Sequence, residues 1–255
     1  MVCCPEGGER MGRVLVIASG KGGVGKTTVT ASLAAALARL SAGVLCIDAD
    51  VGLRNLDIVM GLSELGALDL ADVLAGSAAL DRAVLRHGSL SGLSLLPAPL
   101  ALGDGLLPAF DKLAYEAKQL YDFVLIDCPA GVGSYFQMAA RAADLALVVA
   151  TPDAVSLRDA TRMTLAWPDP RPPMRLIVNR VRPKLIHRAY APNIDDAMDA
   201  VGLPLLGIVP EDERVIVGGN RGTLIPEDAG KRSAARAFGN IARRLLGEDV
   251  PVMRL

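Results

Sequence analysis

Apolar and polar positions alternate along the chain in two distinct patterns. Short apolar runs are typical of buried parallel strands, and the longer stretches between them repeat apolar residues at helical spacing. The predicted strands are Val14–Ala18, Val44–Ile47, Leu93–Leu96, Val124–Ile126, Leu145–Ala150, Leu176–Val178 and Leu206–Val209. The predicted helices include Thr27–Leu40, Leu106–Leu120, Ser134–Ala143, Val155–Leu165 and Asn193–Val201. This alternation predicts an α/β fold, with a doubly wound, mostly parallel sheet and helices on both faces.

Length and composition are those of a globular protein with one large core. The chain has 255 residues, of which 51% are hydrophobic, and a formal net charge of −1. That charge does not favour nucleic acid as a partner, and no apolar run is long enough to cross a membrane. We expect a P-loop domain over residues 11–248 and a short tail over 249–255, in the cytoplasm because no signal region opens the chain. For residues 1–10 we expect a disordered extension or a translation start at Met11.

The cysteines give no sign of a metal or disulfide framework. None of Cys3, Cys4, Cys46 and Cys128 forms a C-x-x-C pair. Cys46 and Cys128 each lie at the end of a predicted strand, where a small buried thiol is the usual interpretation. We therefore predict neither a disulfide framework nor a zinc or iron–sulfur site.

The stretch Gly20–Thr28, Gly-Lys-Gly-Gly-Val-Gly-Lys-Thr-Thr, lies between the first predicted strand and the first predicted helix. It matches the phosphate-loop pattern G-x-x-x-x-G-K-[ST]. Glycines in this pattern let successive backbone N–H groups point at phosphate oxygens, and the helix adds its positive N-terminus. The predicted nucleotide-binding residues of this loop are Gly20, Gly22, Gly23, Val24, Gly25, Lys26, Thr27 and Thr28.

The two lysines of this loop are predicted to have different catalytic tasks. Lys26 would reach the β- and γ-phosphates, while the hydroxyl of Thr27 would ligate Mg²⁺. Lys21 directly follows the first glycine, where it could act on its own nucleotide or reach across a dimer to a partner's nucleotide. A solvated surface lysine is the alternative for Lys21.

Acidic residues follow two further predicted strands. Asp48 and Asp50 come at the end of the second, and Asp127 ends the fourth. The carboxyl ends of parallel strands meet at one edge of the sheet, so these residues would lie beside the phosphate loop. We predict that Asp50 orients the attacking water, that Asp48 makes an outer contact to Mg²⁺, and that Asp127 holds Mg²⁺ through water as in a Walker B strand. A helix N-cap or a solvated loop is the alternative for either Asp48 or Asp50 alone.

Three residues in the second half of the chain are candidates for the base pocket. Asn179 and Arg180 end a late predicted strand, where an asparagine could pair with an adenine edge and an arginine could stack on the base. A guanine-reading Asn-Lys-x-Asp is absent at this point, so ATP is favoured over GTP. Pro210 follows the last predicted strand, and its backbone would wall the same pocket.

Four stretches together, Gly20–Thr28, Asp48–Asp57, Ile126–Gly131 and Thr151–Asp159, resemble the deviant Walker A ATPases of the MinD/ParA family. The string Gly-Leu-Arg-Asn-Leu-Asp within the second of them is similar to that of the septum-site-determining MinD group. The resemblance implies an ATP hydrolase that dimerises with ATP, uses Mg²⁺ and takes part in placing the division septum. In such a dimer Lys21 would cross to the partner's nucleotide, as an arginine finger does elsewhere.

The resemblance also implies partners. It points to the inner membrane surface, to a division inhibitor of the MinC type, and to a topological factor of the MinE or DivIVA-linked type. Arg54 and Asn55 could face a partner subunit, although either could be an ordinary surface residue. The helix that carries Arg158 and Asp159 corresponds to a region that contacts partners in such proteins.

Two departures from the family pattern affect these expectations. Val132-Gly133 stands where the family usually has an apolar residue and an acid, so a contact near the nucleotide or the dimer face is in doubt. Residues 233–246 are amphipathic but match the last core helix of the fold, and the tail after it is acidic and broken by proline. A core-packing role for 233–246 is favoured over a membrane role, which leaves membrane association open.

Two other functions share this fold and chemistry. A partition ATPase of the ParA type would bind DNA non-specifically through a basic surface, for which Arg171, Arg175, Arg180, Arg182, Lys184 and Arg188 are the candidates. A MinD-like regulator of flagellar placement is the second alternative, and the sequence alone separates it poorly from septum placement.

Overall fold

The computed structural model describes residues 11–63, 68–225, 230 and 233–253, and within them one sheet of eight strands. The strands are β1 (Arg13–Ala18), β2 (Val44–Asp48), β3 (Leu85–Arg86), β4 (Leu93–Leu96), β5 (Phe123–Asp127), β6 (Leu145–Ala150), β7 (Met174–Val181) and β8 (Leu205–Pro210). Their order across the sheet is β3-β4-β2-β5-β1-β6-β7-β8, and all neighbours are parallel except β3 and β4. The predicted doubly wound, mostly parallel sheet is confirmed. Strand β3 was not predicted, because two residues are too few to show a period.

Helices connect the strands on both faces of this sheet. They are α1 (Lys26–Arg39), α2 (Leu56–Val59), α3 (Leu70–Leu74), α4 (Leu80–Ala83), α5 (Phe110–Leu120), α6 (Ser134–Arg141), α7 (Ala154–Leu165), α8 (Pro183–His187), α9 (Ile194–Val201), α10 (Glu213–Asn220) and α11 (Ala234–Leu245). The predicted helix 106–120 begins instead as a 3₁₀ helix, Asp104–Ala109, which contains Pro108. Proline lacks the N–H that an α-helix needs, so the α-helical part starts only at Phe110.

The sheet is buried on both faces, as its continuous apolar strands require. Along β1, Val14 and Val16 belong to the core on one face, while Leu15 and Ile17 belong to the core on the other. Helix α1 lies on the second face together with α11. Along α1 residues 29–38 are therefore all buried, whereas Leu40, the last residue of the predicted helix, is 40% exposed.

Helix α11 packs against the core, and this confirms the core role favoured from sequence. Its buried residues are Ala234, Ala237, Phe238, Ile241, Ala242 and Leu245. The guanidinium of Arg244 turns back toward the fold and donates to the carbonyl oxygens of Leu206, Val250 and Pro251. Three charge-assisted hydrogen bonds explain why a cation turns inward here. They also fasten the beginning of the tail to β8.

The remaining sequence expectations concern cysteines, termini and membrane spans. Cys46 and Cys128 are buried free thiols, as predicted, and burial raises the pKa of both. Cys3, Cys4 and the expectation for residues 1–10 lie outside the described residues. In the part of the chain that the structure describes, no helix is both long and apolar enough to cross a membrane.

Candidate nucleotide site

The phosphate loop connects β1 to α1 at the carboxyl edge of the sheet. Gly23 and Gly25 have φ angles of 79° and 95°, a left-handed conformation that favours glycine. Gly25 is the N-cap of α1, where no side chain caps the helix and no acidic residue stands in the first turn. Nothing lies within 4 Å of where a Cβ of Gly22 or Gly23 would stand. The helix start therefore presents backbone amides to an open cradle, which is the arrangement that binds phosphate.

Gly20 has a packing role that the sequence pattern did not predict. A Cβ on Gly20 would lie 2.0 Å from the carbonyl oxygen of Asp159 in α7. No side chain can occupy that space, so glycine is required for α7 to pack against the loop. Gly20 thus contributes to the site by allowing close backbone contact.

Asp48 and Asp127 form a buried pair under the loop. They are register partners on the neighbouring strands β2 and β5, and each is 1% exposed. Burial, reinforced by the charge of Asp127, raises the pKa of Asp48. Burial also raises the pKa of Asp127, against the opposing effects of a hydrogen bond from Thr27 and the charge of Lys26. A bound cation would offset the repulsion between the two carboxylates and the cost of burying their charge. Their oxygen atoms are therefore suitable ligands for Mg²⁺.

The two carboxylates of this pair have different partners. Asp127 accepts a 3.1 Å hydrogen bond from the hydroxyl of Thr30, which the sequence analysis missed. The oxygens of Asp48 accept from the backbone amides of Asp50 at 3.0 Å and Leu56 at 3.2 Å. Asp48 therefore fixes the loop after β2 through these two hydrogen bonds, and its predicted outer contact to Mg²⁺ is a separate role.

Asp50 lies at the start of that loop and lines the cleft above it. It is partly buried, and burial raises its pKa while the charge of Lys26 lowers it. Lys26 is itself only 8% exposed. Opposite charges thus lie near each other in the cleft beside the phosphate loop, and the water-orienting role of Asp50 stays a prediction.

A cleft of about 730 Å³ opens over the loop. Its lining contains most of the predicted nucleotide-binding residues, together with Asp50: Gly22, Gly23, Gly25, Lys26, Thr27, Thr28, Asn179, Arg180 and Pro210. Gly20, Val24, Asp48 and Asp127 are not in the lining. The cleft therefore brings together the loop, Asp50 after β2, and the strand ends of β7 and β8, whereas Asp48 and Asp127 are buried outside its lining.

Asn179 and Arg180 reach the cleft in different ways. The Asn179 side chain is 5% exposed and donates a 2.8 Å hydrogen bond to the carbonyl oxygen of Val24. Its amide nitrogen is thus committed to the phosphate loop, and base recognition by this residue stays a prediction. Arg180 is exposed and has a left-handed φ of 54°, and it lines the cleft as predicted.

Lys21 is exposed and lies beside the cleft, in a second hollow of about 350 Å³. That hollow is also lined by Thr151, Asp153, Arg182 and Glu211, among others. Lys21 and Val24 face this hollow instead of the main cleft. The charge of Lys21 acts within this hollow on Asp153, whose pKa it helps to lower.

The predicted partner-facing residues do not share one environment. Arg54 is engaged within its own subunit, in an ion pair of 2.7 Å with the buried carboxylate of Asp57. Asn55 is exposed and lines the cleft. Arg158 is exposed on α7, and Asp159 makes a weak contact of 4.0 Å with Arg162.

An apolar rim around the cleft was not anticipated from sequence. Three exposed large hydrophobic residues line the cleft and form it: Leu53, Ile58 and Ile216. Ile216 belongs to helix α10, which is eight residues long. The available signal for this helix was Asp212, an N-cap residue three positions before the short apolar run 215–217.

The fold and the cleft together define a P-loop protein that binds a nucleoside triphosphate, and comparison with known proteins agrees. A family model described as the CobQ/CobB/MinD/ParA nucleotide binding domain matches residues 15–225. The septum site-determining protein MinD of Bacillus subtilis is 41% identical over 250 residues, which is 96% of this chain and 93% of that protein. The Synechocystis protein of the same name is 40% identical over 95% of this chain and 92% of its own length. The chain belongs to the MinD family of septum site-determining ATPases.

Solved structures lead to the same family. The chain is similar to MinD in a MinC:MinD cell division complex of Aquifex aeolicus, with a TM-score of 0.85, 38% identity and coverage of 95% of this chain and 98% of that one. MinD of Pyrococcus horikoshii, solved with Mg-ADP, gives a TM-score of 0.80 at 28% identity, over 94% of this chain and all of that one (100%). A ParA-family ATPase of Chlorobium tepidum shares the fold at 22% identity. These comparisons favour the septum group over the partition alternative.

Proposed function

We propose that this chain hydrolyses ATP with Mg²⁺ as an ATP-bound homodimer and, through that cycle, takes part in placing the division septum. The observation that carries the proposal is the uncapped start of α1, which lies in one cleft with Lys26 and Asp50 and directly above the buried Asp127. This combination supplies amides for phosphates, a cation, a carboxylate for water and a carboxylate for the metal.

Each residue has a definite task in this proposal. The amides of residues 25–28 and the Lys26 ammonium hold the phosphates, and Asp50 accepts a hydrogen bond from the attacking water and aligns it. Thr27 and Asp127 would hold Mg²⁺, which when bound neutralises charge on the β- and γ-phosphates. Among the described residues no group of three or more His, Cys, Asp or Glu side chains could hold a metal, which suits an ion that takes most of its ligands from phosphate and water.

The apolar rim supports a dimer that closes over the nucleotide. Leu53 is 64% exposed and Ile216 59% exposed, and both line the cleft itself. A second copy placed face to face would remove these side chains from water at the same time as it enclosed the phosphates. The exposed Lys21 would then reach the partner's nucleotide, where a cation of this kind is worth about 10³–10⁵-fold in rate.

Partners follow from the family. We propose that the ATP-bound dimer recruits a division inhibitor of the MinC type, because the chain is similar to the MinD in a MinC:MinD complex. A topological factor of the MinE or DivIVA-linked type would control release. We also propose a peripheral place at the inner face of the cell membrane. Helix α11 is a poor candidate for the anchor, since its apolar side is packed in the core.

ATP turnover in purified variants tests the catalytic part. Lys21→Ala and Asp50→Ala should keep ATP binding and lose turnover, whereas Lys26→Ala should weaken binding itself. Normal turnover in both of the first two would falsify the assignment. Light scattering of the Asp50→Ala protein with ATP and with ADP tests the dimer, which should form only with ATP.

The partner proposals need separate assays. Co-sedimentation with a purified MinC-type inhibitor should require ATP and should fail with ADP. Liposome sedimentation of the same protein, with and without ATP, tests membrane association. Absence of the protein from the liposome pellet under all conditions would contradict the peripheral location.

A further inference from the structure

The loop after β2 is tied to the protein core by an ion pair that the proposed chemistry does not use. Arg54 Nε donates to Asp57 Oδ2 at 2.7 Å, and the two side chains are 26% and 4% exposed. Asp57 belongs to α2, whose neighbouring residues Leu56 and Met60 are fully buried. The ion pair thus connects the loop residue Arg54 to helix α2, which is held in the core by its buried neighbours.

Arg54 is also connected directly to Asp50. The carbonyl oxygen of Asp50 accepts from the amides of Leu53 at 3.2 Å and Arg54 at 3.4 Å, so that the turn closes on Asp50. Any movement of the Arg54 backbone is therefore passed to the residue that aligns the water. Asp48 holds the other side of the same turn through the Asp50 amide.

The backbone at Arg54 is held in a conformation that arginine does not favour. Its φ is 48°, in the left-handed region where a side chain with a Cβ is strained. Such a residue persists only when its surroundings hold it there, and the short bond to Asp57 is the contact that can do so. Without the bond to Asp57, the φ of Arg54 would relax out of the left-handed region, and the turn would move Asp50 with it.

The ion pair has a cost in folding stability, because it requires the carboxylate of Asp57 to be buried. The carboxylate is almost completely buried, and its second oxygen, Oδ1, has no hydrogen-bond partner in the part of the chain that the structure describes. A buried carboxylate with one oxygen unsatisfied is destabilising, and packing alone would be served better by an apolar residue. A cost of this kind is expected where geometry is needed for function.

We propose that the Arg54–Asp57 ion pair is a positioning pair that fixes Asp50 for catalysis. Arg54 acts within its own subunit in this role, instead of contacting a partner. The inference rests on the proposed ATP hydrolysis and deepens it, because it names what holds the water-aligning residue. Neither residue touches the nucleotide in this account, so their loss should change turnover and not nucleotide affinity.

Three variants separate a positioning role from a role in stability alone. Arg54→Gly removes the guanidinium but accepts the left-handed backbone without strain, whereas Arg54→Ala removes the guanidinium and keeps the strain. Asp57→Asn removes the charge and keeps the shape. Each variant is first checked by urea unfolding, with the fluorescence of the buried Trp167 as the signal, so that assays use only folded protein.

We expect kcat to fall by about 10²-fold in Arg54→Ala and Asp57→Asn, since an error of about 1 Å at a reacting group has that effect, and to fall less in Arg54→Gly, whose backbone can keep the turn without the ion pair. The Kd for ATP should stay within about twofold of wild type, and the double variant should be no slower than the slower single variant, because one interaction is lost in each. Arg54→Lys keeps the charge and should recover part of the rate. The control is Arg243→Ala, which breaks an exposed ion pair with Glu248 and should leave kcat unchanged.

The outcomes separate this inference from the function on which it rests. If wild type hydrolyses ATP, Asp50→Ala does not, and both Arg54→Ala and Asp57→Asn keep the wild-type kcat, the positioning role is wrong and the function stands. A fall in ATP affinity with unchanged kcat also overturns it. If wild type shows no turnover, or Asp50→Ala matches wild type, the proposed function fails and the inference fails with it.

Discussion

The side-chain amide of Asn179 donates a hydrogen bond of 2.8 Å to the carbonyl oxygen of Val24, and so joins the end of β7 to the phosphate loop. The contact is tight, because a Cβ on the adjacent Gly25 would lie 2.6 Å from the Asn179 amide nitrogen. A residue predicted to recognise the base therefore also braces the loop that binds the phosphates.

Asn179→Asp tests which of these tasks matters. The change replaces the donor with a carboxylate that faces the Val24 carbonyl, and a lost buried hydrogen bond of this kind costs about 1–3 kcal/mol. If bracing dominates, affinity should fall about tenfold or more both for ATP and for inorganic tripolyphosphate, as measured by calorimetry.

Base recognition makes a different prediction for the same variant. Affinity would then fall for ATP alone, and tripolyphosphate would bind as it does to wild type. Asn240→Asp serves as the matched control, because Asn240 is partly exposed on α11 and is not part of the cleft lining. We expect this control to leave the affinity for both ligands unchanged.

Gly20→Ala should destabilise the protein without nucleotide. The new Cβ would meet the Asp159 carbonyl at 2.0 Å, and overpacking against backbone costs about 1–3 kcal/mol. Gly22→Ala in the same loop meets nothing within 4 Å and should change stability by less than about 0.5 kcal/mol. Urea unfolding without nucleotide measures both, and equal stability of the two variants would contradict the contact between the loop and α7.

Gly61 and Gly222 make a second backbone contact, which joins the loop after α2 to the loop after α10. A Cβ on Gly61 would lie 2.2 Å from the Gly222 carbonyl oxygen, and Gly61 has a φ of 68°. Gly76→Ala is the matched control, because Gly76 has a similar φ of 73° with nothing within 4 Å. Both variants incur a backbone cost of about 1–2 kcal/mol. In urea unfolding, Gly61→Ala should lower the free energy of unfolding by about 1–3 kcal/mol more than Gly76→Ala does. Equal losses in the two variants would contradict this contact.

Asp153 is the N-cap of α7 and predicts a pH dependence. Partial burial tends to raise its pKa, but hydrogen bonds from the Thr151 hydroxyl and the Ser156 amide, with the charge of Lys21, hold the pKa below its ordinary value of 3.8. A depressed pKa means that the ionised form stabilises the fold at neutral pH, and that this stability is lost as pH falls through the folded-state pKa. Asp153→Ala should therefore cost about 1 kcal/mol at pH 7.

The difference between wild type and Asp153→Ala should shrink as the pH is lowered below about 4, where the native carboxylate becomes protonated. Asp153→Asn is the useful companion, because asparagine also caps helices but carries no charge. It should keep much of the stability at pH 7 and lose the acid dependence. A constant difference between wild type and Asp153→Ala at all pH values would show that the ionised carboxylate has no special role.

Much of the fold and the centre of the site were predictable because their signals are local. The apolar run before Gly20–Thr28 and the glycine spacing within it define a strand, a phosphate loop and a helix over a short stretch of chain. Asp127 was predictable for the same reason, since a buried strand that ends in an acid is a local pattern. Helix α2 has four residues, too few to show a period, and the two adjacent glycines of α10, Gly218 and Gly219, weaken its helical signal, so both were missed.

The sequence alone determined which residue types meet the phosphates, because a turn that exposes backbone amides needs glycines at set places and a lysine and a threonine after them. Only the tertiary structure decided the partners that hold those residues: Thr30 with Asp127, Asn179 with Val24, and Arg54 with Asp57. The physical reason is that a local pattern fixes backbone shape, whereas side-chain partners depend on which distant segments the sheet brings to the same edge.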